Sequence, residues 1–210
     1  MTNEAAFWNE LAERYAQKPV EDRAAFEAKI AITKSRMKPT DVVLDIGCGT
    51  GSLVLRLAES AAHVHGLDLS SEMIRIAKNK AEAQKVENAT FHTGPFDESF
   101  AASDHESLDG ICAYSVLHLL DARRVALSRI FGLLTPGGFF ISSTVCLGES
   151  WVPYGPLLWA MRVLGKAPTV KIFDKRTLED EVRRAGFVDL SQPDVGAKPN
   201  IAFIVANKPQ

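Results

Sequence analysis

Three glycines alternate at positions 47, 49 and 51 in the run Asp45-Ile46-Gly47-Cys48-Gly49-Thr50-Gly51, at the end of the apolar stretch 41–46. Glycine has no Cβ, so a turn built this way lets a ligand lie against the backbone. A helix starting after it would offer unpaired N–H groups to a carboxylate or phosphate. The dinucleotide fingerprint GxGxxG needs a glycine three positions after Gly49, where Ser52 stands. Asp45 inside a phosphate cradle would also repel a pyrophosphate and would suit a ligand carrying positive charge. Neither a Walker lysine nor a Tyr-xxx-Lys pair is present: His118 follows Tyr114 by four, and Leu158 follows Tyr154 by four. An NAD-dependent oxidoreductase is therefore disfavoured.

Asp68 stands 17 residues beyond Gly51, at the end of HVHGLD (63–68). A carboxylate at that place can accept both ribose hydroxyls of a nucleoside, and Leu69 beside it offers an apolar face to a base. Proton transfer has three candidates together, Tyr114, Ser115 and His118. An imidazole titrates in the useful range, but His118 is flanked by leucines, so a packed or backbone-bonded histidine is the competing reading. His63, His65 and His92 fall in strand-like segments without ligand spacing, and no metal site is expected.

These residues need elements to position them. The 210 residues carry 24 Lys+Arg against 26 Asp+Glu, a net charge of −2, with 46% hydrophobic residues. That is one large domain, or a domain with a lid, and it lacks the basic footprint of a nucleic-acid binder. Three scattered cysteines, Cys48, Cys112 and Cys146, argue against a disulfide framework. The acidic, polar start MTNEAAFWNELAERY is unlike a signal peptide. Apolar runs fall short of the roughly 18 residues that span a bilayer. The expectation is a reduced, cytoplasmic protein without stable membrane insertion.

Periodicity places helices at 5–17 and 21–37, then strands near 41–46, 63–68, 89–93, 108–114 and 139–145 with helices between them. Asp121 is expected to cap the helix carrying Ala126, Ile130, Leu133 and Leu134, which Pro136-Gly137-Gly138 would stop. Thr177 with Asp180 reads as a capping box for a helix ending at Gly186. Strands near 187–190 and 201–206 would pair as a hairpin with a long loop. Such alternation calls for an α/β fold, a Rossmann-like, mostly parallel sheet with helices on both faces, whose ligands bind beyond the strands' carboxyl ends.

VLDIGCGTG (43–51), GLD (66–68) and LLTPGGFF (133–140) resemble the successive signatures of class I S-adenosylmethionine-dependent methyltransferases. The segment Phe7-Trp8, Ala12, Tyr15 resembles the N-terminal helix of the small-molecule members. The resemblance implies a seven-stranded sheet with 201–206 antiparallel. It also implies S-adenosylmethionine as cofactor, its methionine and ribose held by Gly47, Cys48, Gly49 and Gly51, and Asp45 near the ammonium. Asp68 would bind the ribose, Tyr15 and Leu69 would flank the cofactor, and Ala113 and Tyr114 would lie beside the sulfonium. Family members usually carry Gly-Asp after strand three, where this chain has Gly94-Pro95. The acid for the adenine amino group is then either absent or moved to Asp97, with Phe96 contacting the base through its backbone N–H.

The acceptor is narrowed by what is missing. Tyr114-Ser115-Val116-Leu117 is not the Asn/Asp-Pro-Pro-aromatic run of amino-directed nucleic-acid methylases, no Pro-Cys nucleophile stands there, and no paired-glutamate loop is found. A small, apolar or aromatic molecule methylated at O, N or C is the expectation, with His118 and Tyr114 as catalytic candidates. The chain is expected to be one domain, 1–210, in which 1–38 and the stretch 146–174, with Trp151, Tyr154, Leu157, Trp159 and Met161, cap the acceptor pocket. Ordinary packing of that insertion, a membrane-surface contact or a homodimer contact are its other uses. A non-catalytic, cofactor-binding regulatory protein is the alternative function.

Overall fold

Strand β1 (Val42–Ile46) is buried along its whole length, and its side chains divide between two cores. Val42, Leu44 and Ile46 enter one core and Val43 the other. A strand apolar on both faces requires cover on both sides, and the rest of the chain supplies it. In the computed structural model, residues 3–100, 108–148, 150 and 152–210 are described. Trp151 lies outside the described residues, so its expected place in a cap is left there.

Two helices precede the sheet, α1 (Asn3–Gln17) and α2 (Arg23–Ser35). After β1 come α3 (Ser52–Ala58), β2 (His63–Asp68), α4 (Ser71–Gln84), β3 (Ala89–Thr93) and β4 (Leu108–Tyr114). A 3-10 turn (Leu117–Leu119) leads to α5 (Arg123–Leu133) and β5 (Leu134–Val145). The chain continues through α6 (Tyr154–Val163), α7 (Lys175–Arg184), β6 (Val188–Ser191) and β7 (Ile201–Asn207). The strands form one seven-stranded sheet ordered β3-β2-β1-β4-β5-β7-β6. All pairings are parallel except those of β7, which runs antiparallel to both β5 and β6. Ile30 of α2, the apolar side of α3 and Ile74, Ala77 and Ala81 of α4 close one face. Leu127 and Ile130 of α5 with Leu178 and Val182 of α7 close the other.

Strand order reverses between β1 and β4, so the connections after these two strands depart to opposite faces and leave a crevice at their carboxyl ends. α1 is laid over that end. Its Ala12 is buried against Met73 and Ile76 of α4, and Asn9 Oδ1 accepts from Ser70 Oγ at 2.7 Å and from Glu72 N at 3.2 Å. Glu13 and Arg75 add an ion pair on the outside.

Three sequence expectations are corrected. Asp121 does not cap α5: Ala122 occupies the N-cap without a side-chain bond, and the Asp121 carboxylate pairs with Lys171 at 2.7 Å. α7 is capped by Asp174, which accepts from Thr177 N at 2.6 Å, so the helix starts before the Thr177–Asp180 pair. Pro136-Gly137-Gly138 lies inside β5, because Leu134 already pairs with Leu108.

Candidate functional site

The glycine-rich turn is fastened to the end of β2 by its own backbone. Gly47 N and Cys48 N both donate to Leu67 O, at 2.7 and 3.0 Å. The next residue, Asp68, completes the clasp: Oδ2 accepts from Gly49 N at 2.8 Å and Oδ1 from Ser70 N at 2.9 Å. A carboxylate has about four lone-pair directions, so two remain for a ligand. Burial raises the Asp68 carboxyl above its ordinary value, against the pull of those two amides.

Two glycines are fixed by their neighbours as well as by their backbone. Gly47 has φ +70°, and a Cβ there would lie 2.7 Å from Cβ of Val116. Gly51 has φ +76°, and its Cβ would lie 2.9 Å from Ala77 and 3.0 Å from the Phe91 ring. Gly51 thus serves helix–sheet packing and does not reach the ligand side. Gly49 is the open one of the three, its vacant Cβ direction meeting the Tyr15 ring at 3.9 Å.

Asp45 is 2% exposed, and its Oδ1 has no hydrogen-bond partner among the described residues. Burial first, and then the Asp68 charge, push its carboxyl well above the usual range. An unpaired buried carboxylate is costly, and a cation nearby relieves that cost. The site asks for positive charge.

A cleft of about 810 Å³ opens beyond β1, β2 and β4, at the point where strand order reverses. Tyr15, Gly47, Gly49, Asp68, Leu69 and Phe96 all line it. Pro95 and Asp97 join them after β3. Oδ1 of Asp97 is engaged by Ser99, accepting from its N at 2.8 Å and its Oγ at 2.6 Å. Tyr15 is 51% exposed, and its hydroxyl is pushed up by burial and by the charge of Asp68.

Four expected cofactor contacts do not reach the wall. Asp45 lies behind it, while the next two residues, Ile46 and Gly47, form it. Cys48 sends its thiol inward: Sγ would be 2.9 Å from a Cβ on Gly66, and burial raises its pKa well above the ordinary value. Gly51 faces α4, as above. Ala113 is fully buried in the sheet core, one residue short of the cleft, so the wall at β4 begins with Tyr114.

Of the three proton-transfer candidates, Ser115 lines the cleft, its N–H donating to Ser143 O at 2.7 Å, while Tyr114 and His118 diverge. The Tyr114 hydroxyl reaches away to α2, 2.8 Å from Thr33 Oγ1 and donating to Lys29 O at 3.3 Å, with its ring edge-on to Phe203. Burial raises its pKa far above that of a free phenol. That arrangement does not suit a general base. His118 lines the cleft, and burial lowers its pKa to about 4, so the ring is neutral near pH 7. Its buried Nδ1 has no partner among the described residues, and its carbonyl accepts from Lys171 N at 2.8 Å.

The sequence profile of the methyltransferase domain matches residues 37–178, more than half of the chain. The chain belongs to the class I S-adenosylmethionine-dependent methyltransferases. An uncharacterized methyltransferase of Mycobacterium tuberculosis is 33% identical over 136 residues, 60% of this chain and 65% of the relative. An O-methyltransferase of Penicillium expansum, cnsE, is 26% identical over 90% of this chain and 66% of its own. The match therefore spans just under two thirds of these curated relatives. In fold, the methyltransferase is similar to Haemonchus contortus phosphoethanolamine N-methyltransferase 2, whose structure holds S-adenosyl-L-methionine. That likeness has a TM-score of 0.68 at 20% identity, covering 88% of this chain and 53% of the other.

S-adenosylmethionine is the family's cofactor, and the donor set of this methyltransferase fits it. The orphaned carboxylate of Asp45 suits a cationic amino acid moiety, Asp68 keeps lone pairs for vicinal hydroxyls, and Leu69, Pro95 and Phe96 give a base apolar surfaces. Sequence reasoning gave no contact role to Trp8 and Met73, both on the wall, or to Val116, which fixes Gly47. Trp8 and Met73 sit on expected helices, but the face each presents depends on how α1 docks. Of the stretch 146–174 expected to cap the pocket, the strip Pro168, Thr169 and Val170 reaches the cleft, carried there by the backbone bond between Lys171 and His118, though none of the three was singled out in sequence. No local signal marks such a non-helical strip. Among the described residues, no three His, Cys, Asp or Glu side chains are grouped to hold a metal ion.

Proposed function

We propose that this protein methylates a small, largely apolar or aromatic molecule presenting an O–H or N–H, without nucleic acid as substrate. The observation that supports this most is the continuation of the cleft past the cofactor residues. Val116, Leu119, Leu120, Pro168 and Val170 line the cleft there beside His118, with Asp121, Arg162 and Thr169 as the polar residues among them. Apolar walls exclude water and hold an apolar ring in place. The open, apolar extension also favours catalysis over a purely regulatory cofactor-binding role.

When bound, S-adenosylmethionine supplies a methyl group already activated on a sulfonium. What the chain contributes is alignment, and near-attack positioning is worth about 7–11 kcal/mol at best. Asp68 holds the donor, Asp45 supports it from behind the wall, α1 covers it with Trp8 and Tyr15, and the apolar half positions the acceptor. His118 borders the cleft and is neutral near pH 7, so its ring can accept the hydrogen bond of the acceptor's O–H or N–H and take that proton as the nucleophile reacts. Tyr114 holds β4 to α2 through its hydroxyl and gives the cleft only its inner edge. The first helix, the strip 168–170 and Arg162 act as the cap; α2 and the rest of α6 do not line the cleft.

The test is transfer of radiolabelled methyl from S-adenosylmethionine into small-molecule fractions of cell extracts, with products identified by mass. A labelled organic product is expected. Label only in RNA or DNA overturns the acceptor class; S-adenosylhomocysteine binding with no transfer to any fraction favours the regulatory alternative.

A further inference from the structure

Helix α6 buries none of its residues. Trp159 is 69% exposed, Val163 and Leu164 are equally open, and Leu157 is half exposed. Trp159 and Val163, four apart, share one face of the helix, with Leu164 adjoining it. Single exposed apolar side chains are ordinary, but several on one helix make a contact surface. The charge within the segment itself has one sign. Residues 150–173 hold Arg162, Lys166 and Lys171 and no acid, a net +3 in a chain of net −2, which leaves −5 for the remainder. Lys171 is paired with Asp121 at 2.7 Å, and that exposed carboxylate also feels Arg162. Neither Arg162 nor Lys166 has an ion pair among the described residues. The same segment forms part of the cleft wall, through Arg162, Pro168, Thr169 and Val170, beside Glu4 and Asp121.

We propose that α6 and the following turn dock on an anionic lipid surface, lying in the plane of the headgroups and presenting the cleft rim to the bilayer. An apolar face with tryptophan, bordered by cations, is the composition that binds interfaces, where each cation adds roughly fivefold to partitioning onto anionic lipid. No described helix is long and apolar enough to cross a membrane, so the contact is peripheral. A second copy of this chain fits less well: a two-fold contact would lay the same basic patch against itself. Delivery of a lipid-dissolved acceptor through the rim rests on the proposed apolar acceptor; the docking itself does not.

The full chain is sedimented with vesicles of phosphatidylcholine alone and of phosphatidylcholine mixed with phosphatidylglycerol, at low and high salt. Binding at least fivefold stronger to the anionic vesicles is expected, weakened by salt. The double variant Trp159→Ser/Val163→Ser should lose it at least tenfold, and Lys166→Glu severalfold, with unchanged melting temperatures because these side chains are exposed. Absence of vesicle binding, or binding indifferent to these substitutions, overturns the proposal. So does a concentration-dependent dimer abolished by Trp159→Ser, which gives the face to a second copy. S-adenosylhomocysteine affinity is measured on the same samples: affinity without vesicle binding removes only the docking surface, and vesicle binding without affinity removes the enzymatic reading instead.

Discussion

The carboxylate of Asp68 holds the N–H of Gly49 at 2.8 Å, so the residue expected to bind the ribose also ties down the loop beneath the ligand. Asp68→Ala therefore confounds two effects, because it strips partners from two backbone amides, a loss of about 1–3 kcal/mol. Asp68→Asn reduces the structural share, keeping the shape and one acceptor and so stripping one amide where Ala strips two. The Asn variant should melt within a few degrees of wild type and bind S-adenosylhomocysteine at least tenfold more weakly by calorimetry. Unchanged affinity would remove Asp68 from the cofactor site.

Asp45 is an acid whose pKa is raised on folding. Such a group favours the native state below its unfolded value and costs stability as pH rises through the folded one. Asp45→Asn should thus raise the melting temperature of the ligand-free protein near pH 8, by roughly 2–4 °C per kcal/mol recovered. The gain should shrink toward acid pH. The same change should weaken S-adenosylmethionine binding about tenfold, since the buried counter-charge is gone. A variant that melts lower and binds normally would contradict both halves.

Gly47 and Val116 can be tested as a pair. Gly47→Ala forces a Cβ to 2.7 Å from Val116 at a φ of +70°. A cost of about 2–4 kcal/mol is expected from overpacking and backbone strain together. Val116→Ala on that background should recover the overpacking share and leave the strain. Additive losses in the double-mutant cycle, read by urea denaturation, would show that the two residues are not coupled.

His118 has its pKa lowered by burial to about 4. The unfolded chain, with an ordinary imidazole near 6.5, binds more protons between those values, so stability is full above pH 6.5 and falls as pH drops toward 4. The loss is about 3 kcal/mol over that range, and His118→Gln should flatten it. Activity should show no inflection near pH 6.5 from this residue. In the same assay His118→Gln should lower kcat at least tenfold, whereas Tyr114→Phe should change it less than threefold and lower the melting temperature. The reverse ranking would reassign the proton to Tyr114.

Much of the cofactor half was legible because strand, turn and helix are contiguous there. Position 45 to position 51 fixes the turn, and the end of the next strand brings Asp68 to it. The expected contacts that lie off the wall share a cause. Cys48 and Ala113 are each next to a lining residue but point to the opposite side, a distinction of side-chain parity that pairing and loop geometry decide. The acceptor half depends on contacts between distant segments: Asn9 of α1 with Ser70 at the start of α4, Tyr114 with Thr33, and Lys171 with His118. No local pattern encodes those meetings. The exposure of α6 was equally hidden, since an apolar helix reads the same in sequence whether it covers a core or faces outward.

β7 enters the sheet reversed, with Ile201 beside Val145 at the cleft end and Asn207 beside Phe139 at the far end. The backbone then meets Gly137, whose N–H donates to Lys208 O and Pro209 O, both at 3.1 Å. Residue 210 consequently emerges from the base of the sheet, across the molecule from the ligand opening. An affinity handle or surface tether attached after it leaves the mouth of the protein pointing into free solution, so immobilised protein presents its ligand opening to metabolites and vesicles alike.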